Sequence, residues 1–140
     1  MAFTTEGMNY LWNVGVHGAT QVATWYIVPY VNNYTPTIAD TAANFPADAG
    51  EAIAQYVEGS RPTYVEAAAS GGATSNVGNE GVITAASGVT FTIYGIGLSS
   101  VSTKGATTGI LLQAGKFPVA KTLSPGEKLE LSIAQVAANA

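Results

Sequence analysis

Cysteine is absent from this chain. That excludes disulfide staples and thiolate metal sites. Charge is scarce as well. The five bases and nine acids make up 10% of 140 residues, against roughly a quarter in an ordinary soluble domain. Arginine and histidine occur once each, as Arg61 and His17. Lys104, Lys116, Lys121 and Lys128 are dispersed, so there is no cation cluster to displace counterions from a nucleic acid. No apolar run approaches the roughly 18 residues of a membrane helix. Nucleic acid and membrane are therefore not expected partners. The N-terminal stretch has no basic region followed by an apolar one, so no export signal is expected and synthesis is placed in the cytosol of the producing cell. The Asn33-Tyr34-Thr35 sequon is then a chance match.

What is present is apolar and small. Hydrophobic residues make up 47% of the chain and glycine contributes 16 residues. Charged side chains normally cover a surface because burying them is costly. With so few, this surface must be built from Ala, Gly, Ser, Thr, Asn and apolar groups, which defend poorly against association. The composition points to a surface that is covered in use, by copies of the chain or by another protein.

The patterning is that of an all-β domain spanning residues 1–140, with a helical segment within 1–20 and a long loop over 30–50. Thr4 is placed to cap a helix of about 10 residues, with Glu6 in its first turn, where a carboxylate suits the helix dipole. Phe3 and Met8 take the two hydrophobic staple positions. Met8, Leu11 and Trp12 share one face, and Gly15 and Gly18 end the helix. Val22–Val28 reads as a strand with both faces apolar. Pro29 ends regular pairing there or marks an edge. Within the loop, Thr35-Pro36 predicts a helical turn over Pro36–Ala43. Ala52–Val57 and Thr63–Ala67 read as a strand pair, and Ala68–Gly81 as loop. Six short strands follow: Val82–Ala86, Val89–Tyr94, Ile96–Val101, Ile110–Gln113, Val119–Leu123 and Lys128–Val136. Ser124-Pro125-Gly126-Glu127 has the type II turn pattern. Roughly eight short strands at close spacing predict a jelly-roll-like two-sheet sandwich.

Catalytic patterns are missing. His17 lies in a Gly-flanked turn with no Gly-x-Ser-x-Gly elbow to serve. Asp40, Asp48 and Glu51 are the nearest approach to a calcium site, without the Asp-x-Asp-x-Asp-Gly frame. Gly95-Ile96-Gly97 lacks the rest of a phosphate loop. No cofactor is expected, and no enzyme. The aromatic residues carry more information. Tyr10, Trp12, Trp25, Tyr30 and Tyr34, with Tyr26, fall within 25 residues, and Trp and Tyr dominate interface hot spots. With Phe3 they are candidate contact residues, although a core that ends in a tyrosine rim reads equally well. A stacking platform for sugars is a further alternative. Arg61 is either a contact anchor or a fork tying loop carbonyls and a carboxylate together.

Several stretches stand in a familiar order. MAFTTEGMNYLWNVG is followed by TWYIVPYVNN, then by Ser60-Arg61-Pro62-Thr63-Tyr64. LSSVSTKGATTG runs from Leu98 to Gly109, and the turn Leu123-Ser124-Pro125-Gly126-Glu127-Lys128-Leu129 closes the set. Together they resemble small virion proteins encoded with the head genes of tailed phages, and among these the cement (decoration) proteins. The resemblance covers most of the chain, though none of its motifs is chemical. It implies a sandwich that dimerises and clamps neighbouring major capsid protein subunits on the exterior of an HK97-like shell. A tail or receptor-binding component that recognises glycans is the alternative.

Overall fold

The computed structural model describes residues 1–136. Among them the order is β1 (Ala2–Phe3), α1 (Thr5–Gly15), β2 (Trp25–Tyr30), α2 (Phe45–Asp48), β3 (Thr63–Tyr64), β4 (Ala73–Ser75), β5 (Gly81–Thr84), β6 (Phe91–Ser99), β7 (Leu111–Leu123), β8 (Lys128–Leu131) and β9 (Ala134–Val136). Every ladder is antiparallel. One five-stranded sheet has the order β1-β7-β6-β2-β3, and β4-β9 and β5-β8 form two separate ribbons. The chain is an all-β sandwich with a short N-terminal helix, as its patterning predicts. Its five-stranded sheet is covered by a ribbon on one face and by ordered coil on the other.

Alternation along β2 sends side chains to two cores. Ile27 packs with Ile93, Leu98 and Leu112 of the sheet, Ile83 of β5 and Leu131 of β8. Val28 and Tyr30 pack on the opposite side with Leu111, Ala114, Ala42, Phe45 and Ala49. The β5-β8 ribbon thus covers one face of the sheet, and the loop after β2 covers the other. That loop is helical at Phe45–Asp48 and not at the expected Pro36–Ala43. Pro46 supplies the proline of its first turn, and Phe45 is buried. Thr37 instead closes a turn through the carboxylate of Asp40, which accepts its backbone N–H at 2.7 Å.

Four runs read as separate strands fuse into two. β6 continues through Gly95 and Gly97 because the sheet needs empty space there, not because it turns. A Cβ at Gly95 would stand 2.3 Å from the Tyr30 hydroxyl, and one at Gly97 would stand 3.0 Å from the Phe45 ring. β7 stays paired to β6 but bulges out over residues 117–120, between the pairs Gly95↔Lys116 and Ile93↔Lys121. The last run divides into β8 and β9, where Asn76 intervenes. Its side chain donates to Leu131 O and accepts from Ile133 N–H. The expected strand at Ala52–Val57 is reduced to a single bridge, Tyr56↔Ala85. The carbonyls of Ile53 and Tyr56 are taken by Lys104 Nζ, each at 3.0 Å. Pro29 lies inside β2, beyond the two residues that β3 covers, on the side where only a short bridge with residues 50–52 is made: its carbonyl accepts from Ala52 N–H, and its missing N–H costs no ladder bond to β6. Gly126 adopts φ 80°, and Glu127 N–H donates to Ser124 O, completing the type II turn.

Helix α1 begins as its sequence directs. The Thr4 hydroxyl accepts from Gly7 N–H at 2.9 Å, and the Glu6 carboxylate accepts from Ala42 N–H and Leu111 N–H at 2.9 and 2.7 Å. The helix meets the sheet through Gly7, where a Cβ would fall 1.9 Å from the Leu112 carbonyl oxygen. Gly7→Ala should therefore destabilise the protein by about 2–4 kcal/mol in urea denaturation, although helix propensity alone favours alanine by about 1 kcal/mol. An unchanged or raised midpoint would show that α1 is not seated through this glycine.

Candidate assembly interface

Arg61 is fully hydrogen-bonded, and it is interior. It is 1% exposed. Nε and Nη2 donate to the two oxygens of Glu51 at 2.8 and 2.7 Å. Nη1 donates to Ser99 Oγ and Val101 O, and Nη2 to Ala106 O. The five guanidinium donors are thereby all used. Glu51 also accepts from Gly105 N–H. Of the two readings of Arg61, the structural fork holds, and Arg61 does not form a contact surface. Beside it Lys104 sits 3.5 Å above the Tyr56 ring, and burial lowers its pKa.

The aromatic candidates separate in the same way. Trp25 and Tyr30 are core residues at 8% and 0% exposure, a correction to their reading as contact anchors. Tyr10 stacks edge-on against Trp25 at 5.2 Å between ring centres, and its hydroxyl accepts from Val22 N–H. Phe3 packs at the margin of the same core. Tyr34 lies edge-on to Phe45 and donates to Asp40 at 2.7 Å. Only Trp12, 63% exposed, stands on the surface. Crowding in sequence therefore marks a core with a tyrosine rim, and the stacking platform required by a sugar-binding reading is not assembled from these residues.

Trp12 is not alone. Met8, Leu11 and Val16 are also exposed; Met8, Leu11 and Trp12 lie on one face of α1, and Val16, its C-cap, continues the stripe. With Gly15 they line a shallow apolar groove. The helical period was legible, but it marks the outward face; the inward face is Gly7, with Tyr10 and Val14 half-buried. A second apolar groove, of about 430 Å³, is formed where the β7 bulge (Phe117, Pro118, Val119) meets Leu129 and Leu131. The two grooves share no residue. Nothing in the sequence singled out this second groove, because it depends on a register irregularity.

The carboxylates do not converge. Asp40 is engaged by Tyr34 and Thr37, Glu51 by Arg61, and Asp48 is exposed. No group of three metal-ligating side chains occurs among the described residues, and the calcium candidate is not assembled. His17 is exposed after α1. No helix of the described residues is long and apolar enough to cross a membrane. A scan against protein-family models and a search of curated proteins give no match to this chain.

Two predictions follow from the interior polar groups. Glu51→Ala leaves a buried guanidinium uncompensated and should cost about 3–5 kcal/mol in urea denaturation, whereas Glu51→Leu combined with Arg61→Met should cost clearly less. Equal losses would mean that the pair is not desolvated. The second concerns alkali. The Tyr34 hydroxyl is pushed up to about 12 from 10.0, chiefly by its hydrogen bond to Asp40. Burial, the leading cause for each, raises Tyr30, Tyr56 and Tyr64. The folded state then holds protons that the unfolded state releases. Stability should be full below pH 10 and fall as pH rises through 12. Phenolate absorbance followed alongside circular dichroism should show these tyrosines ionising together with unfolding.

Proposed function

We propose that this chain is a structural virion protein, a cement or decoration protein that binds the major capsid protein shell of a tailed bacteriophage from outside. The observation that carries the reading is the apolar stripe Met8-Leu11-Trp12-Val16, presented outward by a helix that is itself fixed to the sheet. An isolated Leu on a surface needs no explanation, whereas a contiguous apolar face does. A central exposed Trp flanked by aliphatic residues has the make-up of a hot spot. The groove beside the stripe is shallow and follows the helix, which suits a protein surface better than a small molecule. The chain-long resemblance to cement proteins supplies the identity of that surface.

Two separate apolar grooves suit a bridging role. One engages the shell, and the other engages a neighbouring copy, so that the chain acts as a homodimer across a seam. Bivalent attachment multiplies modest site affinities without new contacts. The catalytic patterns missing from the sequence are not required by such a task.

Trp12→Ser should shift the melting temperature of the isolated protein by no more than about 2 °C, since the side chain lies outside the core. Its binding to purified shells lacking the protein should fall at least about 30-fold, the loss of a hot spot worth 2 kcal/mol or more. Unaltered co-sedimentation of this variant with shells would refute docking through α1. Specific capture of the wild type by a glycan array, with none by shells, would favour the receptor-binding alternative.

A further inference from the structure

Strand β8 is paired on one side only, by β5. The phase of that ladder fixes where its other backbone groups point. Ala85, just past β5, donates its N–H to Glu127 O and accepts from Gly126 N–H, so its backbone faces the β8 segment. Thr84 is turned the other way: its carbonyl accepts from Val57 N–H and its N–H donates to Glu58. Alternation along an antiparallel ladder then makes Ile83↔Leu129 and Gly81↔Leu131 the bonded pairs. Lys128 and Glu130, opposite Thr84 and Val82, direct their N–H and C=O groups away from β5. These groups have no partner among the described residues. They border the apolar groove of the β7 bulge, where Phe117 and Val119 lie. An open edge beside an apolar groove is a template for one more strand.

The side chains of β8 restrict which strand fits. Lys128 and Glu130 are exposed on its outer face, and Leu129 and Leu131 face the core. An added antiparallel strand should set an acid opposite Lys128, a base opposite Glu130 and an apolar residue opposite Leu129. β8 read in reverse, Glu130-Leu129-Lys128, is such a strand. A second copy related by a two-fold axis at Leu129 sets Lys128 of each chain opposite Glu130 of the other. The backbone phase selects the same register. Edge-directed residues must pair with edge-directed residues, so the axis passes beside a residue and not between two. An axis at Lys128 opposes two lysines, and one at Glu130 opposes two glutamates. Leu129 opposes no like charges. We propose that β8 is the seam of a homodimer, in which the β5-β8 ribbons of two copies join into one four-stranded sheet. Each Lys128 exchanges both backbone hydrogen bonds with the partner's Glu130, and the partner's Leu129 covers the groove. The proposal rests on the reading of the chain as one that pairs with its own copy; docking of α1 plays no part in it.

The test is sedimentation equilibrium of the full chain, without shells. The wild type should show a reversible monomer–dimer equilibrium below about 1 mM. Lys128→Glu and Glu130→Lys each oppose like charges at both ends of the seam, and each should weaken the dimer at least about tenfold. Both positions are exposed, so the melting temperature should stay within about 2 °C. Mixing the two single variants should form a heterodimer at least as tight as the wild-type dimer, because every opposed pair is complementary again. The two substitutions in one chain should restore self-association. Trp12→Ser should dimerise as the wild type does, so a failure of shell docking is read separately. A wild type that stays monomeric, wild-type association of either single variant, or a mixture that does not associate would overturn the proposal. So would a dimer lost in Trp12→Ser and kept in Lys128→Glu, which would move the seam to α1. A monomeric wild type whose binding to shells falls with Lys128→Glu would overturn it too, and would give the edge to a strand of the shell.

Discussion

The bond set of one guanidinium ties the long loop to the end of β6 and to the loop that follows it. Arg61 joins Glu51, at the end of the long loop, to Ser99 at the end of β6 and to the carbonyls of Val101 and Ala106 in the loop that leads to β7. Two charges taken out of water stabilise only when every lone pair and proton is met, and here the geometry meets them. Lys104, in the same loop, repeats the device with the carbonyls of Ile53 and Tyr56. The segment between β2 and β3 has almost no ladder of its own. It is ordered by Arg61 reaching out of it to the end of β6 and the following loop, and by Lys104 reaching back into it.

That arrangement explains how a sheet can be covered by coil. A loop laid over an apolar face brings backbone groups that need partners. Glu6 takes Ala42 N–H, Asp40 takes Thr37 N–H, and Ala49 O receives Asn32 N–H. Phe45 then fills the space that Gly97 leaves open. The glycines of β6 and the aromatic residues that face them form one packing solution.

The legible parts of this structure are local. The Thr4 cap, the alternation of Phe91 and Ile93 with Thr92 and Tyr94, and the Ser124–Glu127 turn follow from chemistry within a few residues. What was hidden depends on partners far along the chain. Gly95 looked like a turn because its need, room for Tyr30, lies 65 positions away. Ala52–Val57 looked like a strand because nothing nearby shows that Lys104 claims its carbonyls. Arg61 was legible as a fork but not as a buried one. The contact stripe of α1 was visible as periodicity, yet periodicity does not tell which side of a helix meets the core. Gly7 decides that, and a small residue in a helix gives a weak signal.

Interior use of charge has a consequence for the kinetics of any encounter. Glu6, Asp40, Glu51, Arg61 and Lys104 spend their charges on contacts inside the molecule, in a chain that had few to begin with. The remaining six acids and three lysines are dispersed and leave only a small net negative charge to shape a long-range field. Such a surface approaches its partner without electrostatic guidance, at an orientation-limited rate on the order of 10⁵–10⁶ M⁻¹s⁻¹. In return, the encounter is nearly indifferent to ionic strength, since there is little attraction for salt to screen.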